Sequence, residues 1–261
     1  LINEEILMSQ KQVLITGAGS GIGRGIAIFL ANKGHKIIVS DLDIEAAKQT
    51  VEMIESQSGV AIAYKLNVTS QKDIDELVNS LNTPVDVLIN NAGVQHVEAL
   101  DTFPMEKWEF LIQVLLTGVA RLTQAILPGM KASGFGRIIN VGSIHALIAS
   151  PYKSAYVAAK HGLLGLSKVL ALELADQDIT VNTLCPAYVR TPLVDKQIAA
   201  QAKEHQLTEQ QVIEKIMLEP MPKKAFIEIE ELAGCCDFLM SQYAKNITAQ
   251  TMVLDGGWTA R

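Results

Sequence analysis

Six short runs rich in Val and Ile recur along the chain, over residues 13–16, 36–41, 61–66, 85–90, 137–141 and 179–184. Continuous apolar runs of this length suit strands buried on both faces, as in a parallel sheet, better than half-exposed strands, which would alternate. Between them lie stretches of helical periodicity over 22–33, 44–56, 72–81, 105–132 (with Pro128 near its end) and 154–175. Strand, helix, strand repetition folds into a parallel sheet with helices on both faces, because right-handed crossovers bring each helix back onto the sheet. A last strand over 251–254 precedes the tail DGGWTAR. The expected fold is α/β, a single-domain Rossmann-like doubly wound parallel sheet over residues 8–261.

The one change of texture is 191–224, polar and Gln-rich, bounded by Pro192, Pro220 and Pro222. It reads as a helical flap over the active site, since long insertions in compact domains tend to be functional. Residues 1–7 are set aside as a leader or added remnant, with Met8 the natural start.

Bulk properties narrow the function. A composition of 49% hydrophobic and 19% charged residues is that of an ordered globular protein. The formal net charge of −6 disfavours nucleic acid and anionic membrane surfaces, both of which select basic faces. No uninterrupted apolar run reaches the roughly 18 residues that suggest a bilayer span. Cys185, Cys235 and Cys236 form no disulfide framework, being odd in number with two adjacent. A cytoplasmic location is expected. No His, Cys or carboxylate cluster has metal-ligand spacing, so no metal is expected.

Directly after the first strand comes TGAGSGIG, with Gly17, Ser20, Gly21, Ile22 and Gly23 at the opening of a helix. Glycines there let the backbone approach a pyrophosphate, whose charge sits at the helix N-terminus where unpaired amides and the dipole favour an anion. The second strand ends at Asp41, 18 residues beyond Gly23. A carboxylate in that place accepts from both ribose hydroxyls of NAD and repels the 2′-phosphate of NADP. NAD is the expected cofactor, with Arg24 the cation that could offset this preference, and Asp41 could also cap the helix that follows.

The glycine spacing resembles the TGxxxGxG of the short-chain dehydrogenase/reductase family. Other marks of that family follow in order: NNAG over 90–93, Ser143 after the fifth strand, and YxxxK at Tyr156 and Lys160. The resemblance implies that Ser143, Tyr156 and Lys160 are catalytic. On a helix, residues four apart share a face, so the Lys160 ammonium would lower the Tyr156 pKa and let the phenol act as base. It further implies that Asn67, Val68, Asn91, Ala92 and Gly93 line the cofactor, with Pro186, Val189 and Thr191 near the nicotinamide. Three positions depart from the family pattern: Asn67 replaces a commoner Asp, Ala187 a Gly, and Leu115 an Asn that supports a proton-relay water. Retained activity with slower proton exchange is the expected result of Leu115.

Finer detail in NNAGVQHVE, the stretch 134–162 and VLDGGWTAR resembles a bacterial branch of the family that interconverts (R)-3-hydroxybutyrate and acetoacetate. That likeness implies a substrate carboxylate held by Gln95, His145, Lys153 and Gln197, with Tyr188 and Trp258 as walls around the alkyl chain and Ser143 and Tyr156 at the reacting oxygen. Lys153 supplies the charge and the other groups set direction. It also implies a homotetramer. The alternatives are another reductase of the family, such as a 3-oxoacyl reductase, and a weakly catalytic NAD-binding regulatory protein.

Overall fold

A computed structural model describes residues 10–260; residues 1–9, including the expected leader and Met8, and residue 261 lie outside the described residues. Seven strands form one sheet: β1 (Gln12–Thr16), β2 (Lys36–Asp41), β3 (Val60–Lys65), β4 (Val87–Asn90), β5 (Gly136–Val141), β6 (Ile179–Pro186) and β7 (Thr251–Leu254). Their order is β3-β2-β1-β4-β5-β6-β7, and every pairing is parallel. The chain reverses its direction of winding between β1 and β4. In such sheets the crevice outside the carboxyl ends at this switch point is where ligands bind.

Helices cover both faces. On one side α1 (Gly21–Asn32) and α9 (Ile229–Met240) pack together over a core that includes Val13, Ile15, Ile26, Val39, Ile89 and Leu232, all fully buried. On the other, α3 (Gln71–Ser80), α5 (Gly118–Ser133) and α6 (Ser154–Glu173) enclose Leu14, Ile74, Leu88, Leu122 and Val181. The alternation of core membership along β1, Leu14 to one side and Val13 and Ile15 to the other, is the period of two of a strand whose faces are both covered. Helix α2 (Ile44–Glu55) is capped by Asp43, whose carboxylate accepts from the amides of Glu45 (3.0 Å) and Ala46 (3.4 Å). Asp41 is therefore not that helix's cap.

Helix α4 (Met105–Ile112) runs through a π-helical turn, Gln113–Thr117, into α5. The resulting helix, Met105–Ser133, is by length and composition apolar enough to cross a bilayer, contrary to the expectation from uninterrupted runs. Its apolar side chains instead meet the sheet and α6: Leu111 and Leu115 lie against Ala155 and Ala159, while Leu122, Ile126 and Met130 are core residues. Helix α9 was not anticipated; its IEELAGCCDFLM sequence contains a central glycine and two cysteines that weaken the helical signal. The flap is helical, as expected: α7 (Pro192–Glu204), α8 (Glu209–Val212) and a π turn (Ile213–Met217) close on a small core of Val194, Ile198, Val212 and Met217.

Between β1 and β2, His35 is 1% exposed, and its Nδ1 accepts from the Lys11 amide at 3.2 Å. Burial pushes its pKa below the ordinary value, with Asp237 opposing. As pH falls through the unfolded-state value of about 6.5, the unfolded chain takes up a proton that the folded chain resists, so stability falls from pH 7 toward pH 5. His35→Gln, which keeps an acceptor but cannot titrate, should flatten that loss in urea midpoints measured across this range. Equal slopes for the two proteins would refute the assignment.

Candidate active site

The carboxyl ends of β1, β4, β5 and β6 open onto a cavity of about 510 Å³. Its nucleotide-side rim is the loop after β1. Gly17 has φ +62° and Gly21 φ +53°, and a Cβ on Gly17 would stand 2.9 Å from the Ala92 Cα. Ser20 occupies the N-cap of α1 without a side-chain bond to the first-turn amides, which leaves those donors for an anion. Gly17, Ser20, Gly21 and Ile22 all line the cavity. Gly23, expected to contact the cofactor, is not among the lining residues; a Cβ there would meet Gly17 O and Asn91 Nδ2, so its lack of a side chain allows the loop to pack closely.

The Asp41 carboxylate accepts from the amides of Gly19 (2.8 Å) and Asp43 (3.0 Å), one per oxygen. An ionised carboxylate has about four acceptor positions, so both oxygens keep capacity for ribose hydroxyls. Arg24 is bound elsewhere, with Nε donating to Thr50 Oγ1 at 3.0 Å and Nη2 to Gly19 O. These observations fit a dinucleotide with a free 2′-hydroxyl. Asn67, Val68, Asn91, Ala92, Gly93, Pro186, Val189 and Thr191 line the same cavity as expected. Ala187 has no left-handed backbone, so a glycine is not required there.

Sequence reading overlooked Thr16. Its Oγ1 accepts from the amides of Asn91 (3.0 Å) and Ala92 (2.9 Å), while Asn91 Nδ2 donates to Thr16 O (2.9 Å) and Gly17 O (3.0 Å). These four bonds lock the Gly loop to the loop after β4. The only available signal was a threonine at a strand end before a glycine run. Also overlooked were apolar walls, including Leu42, Val94, Phe110 and Val194, because sequence gives such residues the same signature as core.

Ser143, Tyr156 and Lys160 converge at the centre. Ser143 is the N-cap of a 3-10 turn, Ile144–Ala146, where its Oγ accepts from His145 N at 3.1 Å. Burial drives the Tyr156 pKa upward, and the neighbouring Ser143 hydroxyl partly offsets it. The Lys160 ammonium lies 5.6 Å from the centre of the Tyr156 ring and donates to Val141 O at 2.7 Å. Burial brings its own pKa down to about 8. In the protein alone the Tyr156 pKa is raised, not lowered as expected: burial is the largest cause, and Lys160 is not among the groups that shift it.

Gln95, His145, Lys153, Tyr188, Gln197 and Trp258 line the remaining wall. Tyr152 adopts φ +67°, an uncommon conformation for a bulky residue, and its carbonyl accepts from Glu98 N at 2.9 Å; this turn delivers Lys153 to the start of α6. Burial lowers the Lys153 pKa, and no ion pair joins it among the described residues. His145 is held neutral, its pKa lowered to about 4 by burial and by Lys153, and its Nε2 meets Ser150 Oγ at 2.8 Å. Leu115 borders the cavity with 1% exposure, packed beside Tyr156. No cluster of metal-ligating side chains occurs among the described residues.

Comparison with known proteins agrees with this geometry. A D-beta-hydroxybutyrate dehydrogenase of Rhizobium meliloti is 43% identical over 256 residues, covering 96% of this chain and 99% of that protein. One from Cupriavidus necator is 40% identical, covering 98% and 100%. Among solved structures, L-sorbose reductase from Gluconobacter frateurii, complexed with NADPH and L-sorbose, superposes with a TM-score of 0.92 at 29% identity, over 97% of this chain and 98% of the other. The family model described as short chain dehydrogenase matches residues 11–202. With its parallel sheet, Gly loop and Ser-Tyr-Lys centre in place, the chain belongs to the short-chain dehydrogenase/reductase family.

Proposed function

We propose that this oxidoreductase interconverts (R)-3-hydroxybutyrate and acetoacetate with NAD. The observation that carries the substrate is Lys153, a largely desolvated ammonium at the cavity wall with no anion of its own. A partly desolvated cation with no anion among the described residues is costly, and a substrate carboxylate would relieve that cost. Gln95, His145 and Gln197 line the same space, and each carries an N–H group able to donate to a carboxylate. The names of the relatives point to the same substrate.

Asp41 and the loop from Gly17 to Ile22 would hold the dinucleotide, with Asn67, Asn91 and Thr191 along its length. Bound there, NAD supplies the hydride acceptor. Preference for NAD over NADP rests on the Asp41 carboxylate and on the engagement of Arg24 with Thr50 and Gly19. Ser143 donates to the reacting oxygen and Tyr156 removes its proton as the alcohol becomes a ketone. Since burial favours the protonated phenol, the base form needs positive charge nearby, and Lys160 is the chain's own source. With a pKa of about 8, that lysine remains charged at neutral pH.

Purified protein should reduce NAD with (R)-3-hydroxybutyrate and not with its S enantiomer. A preference for acyl thioesters would instead support a 3-oxoacyl reductase, and absence of turnover the regulatory alternative. Asp41→Ala should weaken NAD and improve the relative use of NADP; an unchanged NAD to NADP ratio would remove Asp41 from the selector role.

The two lysines separate by kinetics. Lys160→Ala should lower kcat by about 100-fold or more, the scale of losing assistance to proton transfer. Lys153→Ala should raise the KM for the acid about 10- to 100-fold, the equivalent of one charge-assisted hydrogen bond, with little effect on the KM for NAD. Similar effects of both variants on NAD would contradict the division.

Leu115→Asn should place an amide in an apolar cluster and reduce stability by about 1–3 kcal/mol, the cost of an unpaired buried polar group. If the amide recruits a proton-carrying water, the solvent isotope effect on kcat should also fall. Unfolding curves and rates in H2O and D2O measure the two effects independently, and a stability equal to wild type would contradict the packing argument.

A further inference from the structure

We infer that Asp255 is a specificity-positioning residue: its carboxylate builds the turn that holds the Trp258 indole across the alkyl end of the cavity. Asp255 is only 8% exposed. Its Oδ1 accepts from Gly257 N at 2.8 Å, and its Oδ2 accepts from Thr259 N and Thr259 Oγ1, both at 2.7 Å. The backbone closes the same turn, with Trp258 N donating to Asp255 O at 3.2 Å. One side chain thus fixes the residues on both sides of Trp258, in the segment that follows the last strand.

Trp258 faces the site through aromatic neighbours. Its ring stacks on Tyr188 at 6.0 Å between centroids with 25° between planes, and meets His145 edge-on at 6.4 Å. His145 in turn stands edge-on to the Tyr156 ring at 6.0 Å. A chain of ring contacts therefore connects the Asp255 turn to the reacting centre, and the position of the indole sets the depth available to the substrate's alkyl group.

The same turn engages the end of the flap. Lys223 N donates to Gly256 O at 3.1 Å, and a Cβ at Gly257 would come within 3.4 Å of Pro222. Gly256 and Gly257 have φ of +59° and +89°, a path open chiefly to glycine. Asp255 consequently ties the C-terminal wall and the flap to one point at the end of β7. Loss of its carboxylate would leave the indole held by ring stacking and by the backbone bonds from Trp258 N to residue 255 and from Lys223 N to Gly256.

The inference rests on the reading of the cavity as a site for short 3-hydroxy acids, and the test is the ratio of kcat/KM for (R)-3-hydroxybutyrate to that for (R)-3-hydroxyhexanoate. Asp255→Ala should lower this ratio about 10-fold, mainly by raising the KM for the shorter acid. Trp258→Ala should lower it by as much or more. Adding Asp255→Ala to Trp258→Ala should then change it by less than about 2-fold, since Asp255 acts through the indole. Asp255→Asn, which keeps one acceptor oxygen, should restore part of the ratio. An equal loss of kcat/KM for both acids, or additive effects in the double variant, would overturn the assignment.

A second readout does not depend on substrate identity. In a Trp108→Phe background, which leaves Trp258 as the sole indole, Asp255→Ala should raise acrylamide quenching of the fluorescence at least 2-fold. Unchanged quenching would refute the positioning role even if 3-hydroxy acids prove not to be substrates. Lack of turnover with increased quenching would instead uphold the latch and remove the substrate reading.

Discussion

The placement of the reacting groups depends on a line of buried hydrogen bonds across the carboxyl half of the sheet. Asn90 on β4 donates to Asn140 on β5 at 2.9 Å, Asn140 to Ser167 on α6 at 2.9 Å, and Ser167 meets Thr183 on β6 at 3.0 Å. All four are at most 4% exposed. Positions 156, 160, 163 and 167 recur at helical spacing, so the serine that binds the sheet lies along the stripe that carries Tyr156 and Lys160. Apolar packing alone would permit α6 to slide by small steps. A polar line whose members would each be stranded by a shift admits one register.

With the helix fixed, the site divides electrostatically along its length. At one end is a carboxylate, Asp41, already holding two backbone amides and suited to hydroxyl donors. Away from it stand two ammonium groups, Lys160 beside Tyr156 at the centre and Lys153 at the far wall, and burial lowers the pKa of both. Lys160 has a carbonyl at 2.7 Å, whereas Lys153 has no anion. The neutral His145 between the walls adds hydrogen bonding without further positive charge. The acceptor capacity left on Asp41 and the positive charge near Lys153 thus give the two ends of the cavity opposite polarity.

Much of this was legible in the sequence, and the losses have physical causes. Strands with buried Val and Ile runs were located to within two residues, because a parallel sheet covered on both faces leaves little room for polar interruptions. The Gly loop, the YxxxK pair and the carboxylate at the end of β2 were legible because chemistry restricts residue type there. For Gly23 the sequence could not separate two roles, since a glycine that admits a ligand and one that admits a neighbouring backbone look alike in one dimension; the structure shows the second. Thr16 and the apolar walls were missed for a similar reason: their significance lies in partners from β4, α4 and the flap, 70 or more residues away for Thr16 and its Asn91 contact. Asp255 was hidden because its partners, Gly257 and Thr259, lie within the same short stretch and give a turn no distinctive signature.

Leu115 shows how a local departure changes the chemistry of its surroundings. It sits in the π turn of the long helix, where the widened backbone brings a side chain against Ala155, Ala159 and Tyr156. An amide in that place would contribute a dipole and a route for water. Leucine contributes neither, and it packs in the same apolar cluster as the phenol ring. Burial dominates both titrating groups beside it, raising Tyr156 and lowering Lys160. The polar groups left to set the state of that pair are the Ser143 hydroxyl, which lowers the phenol, and the Val141 carbonyl, which holds the ammonium.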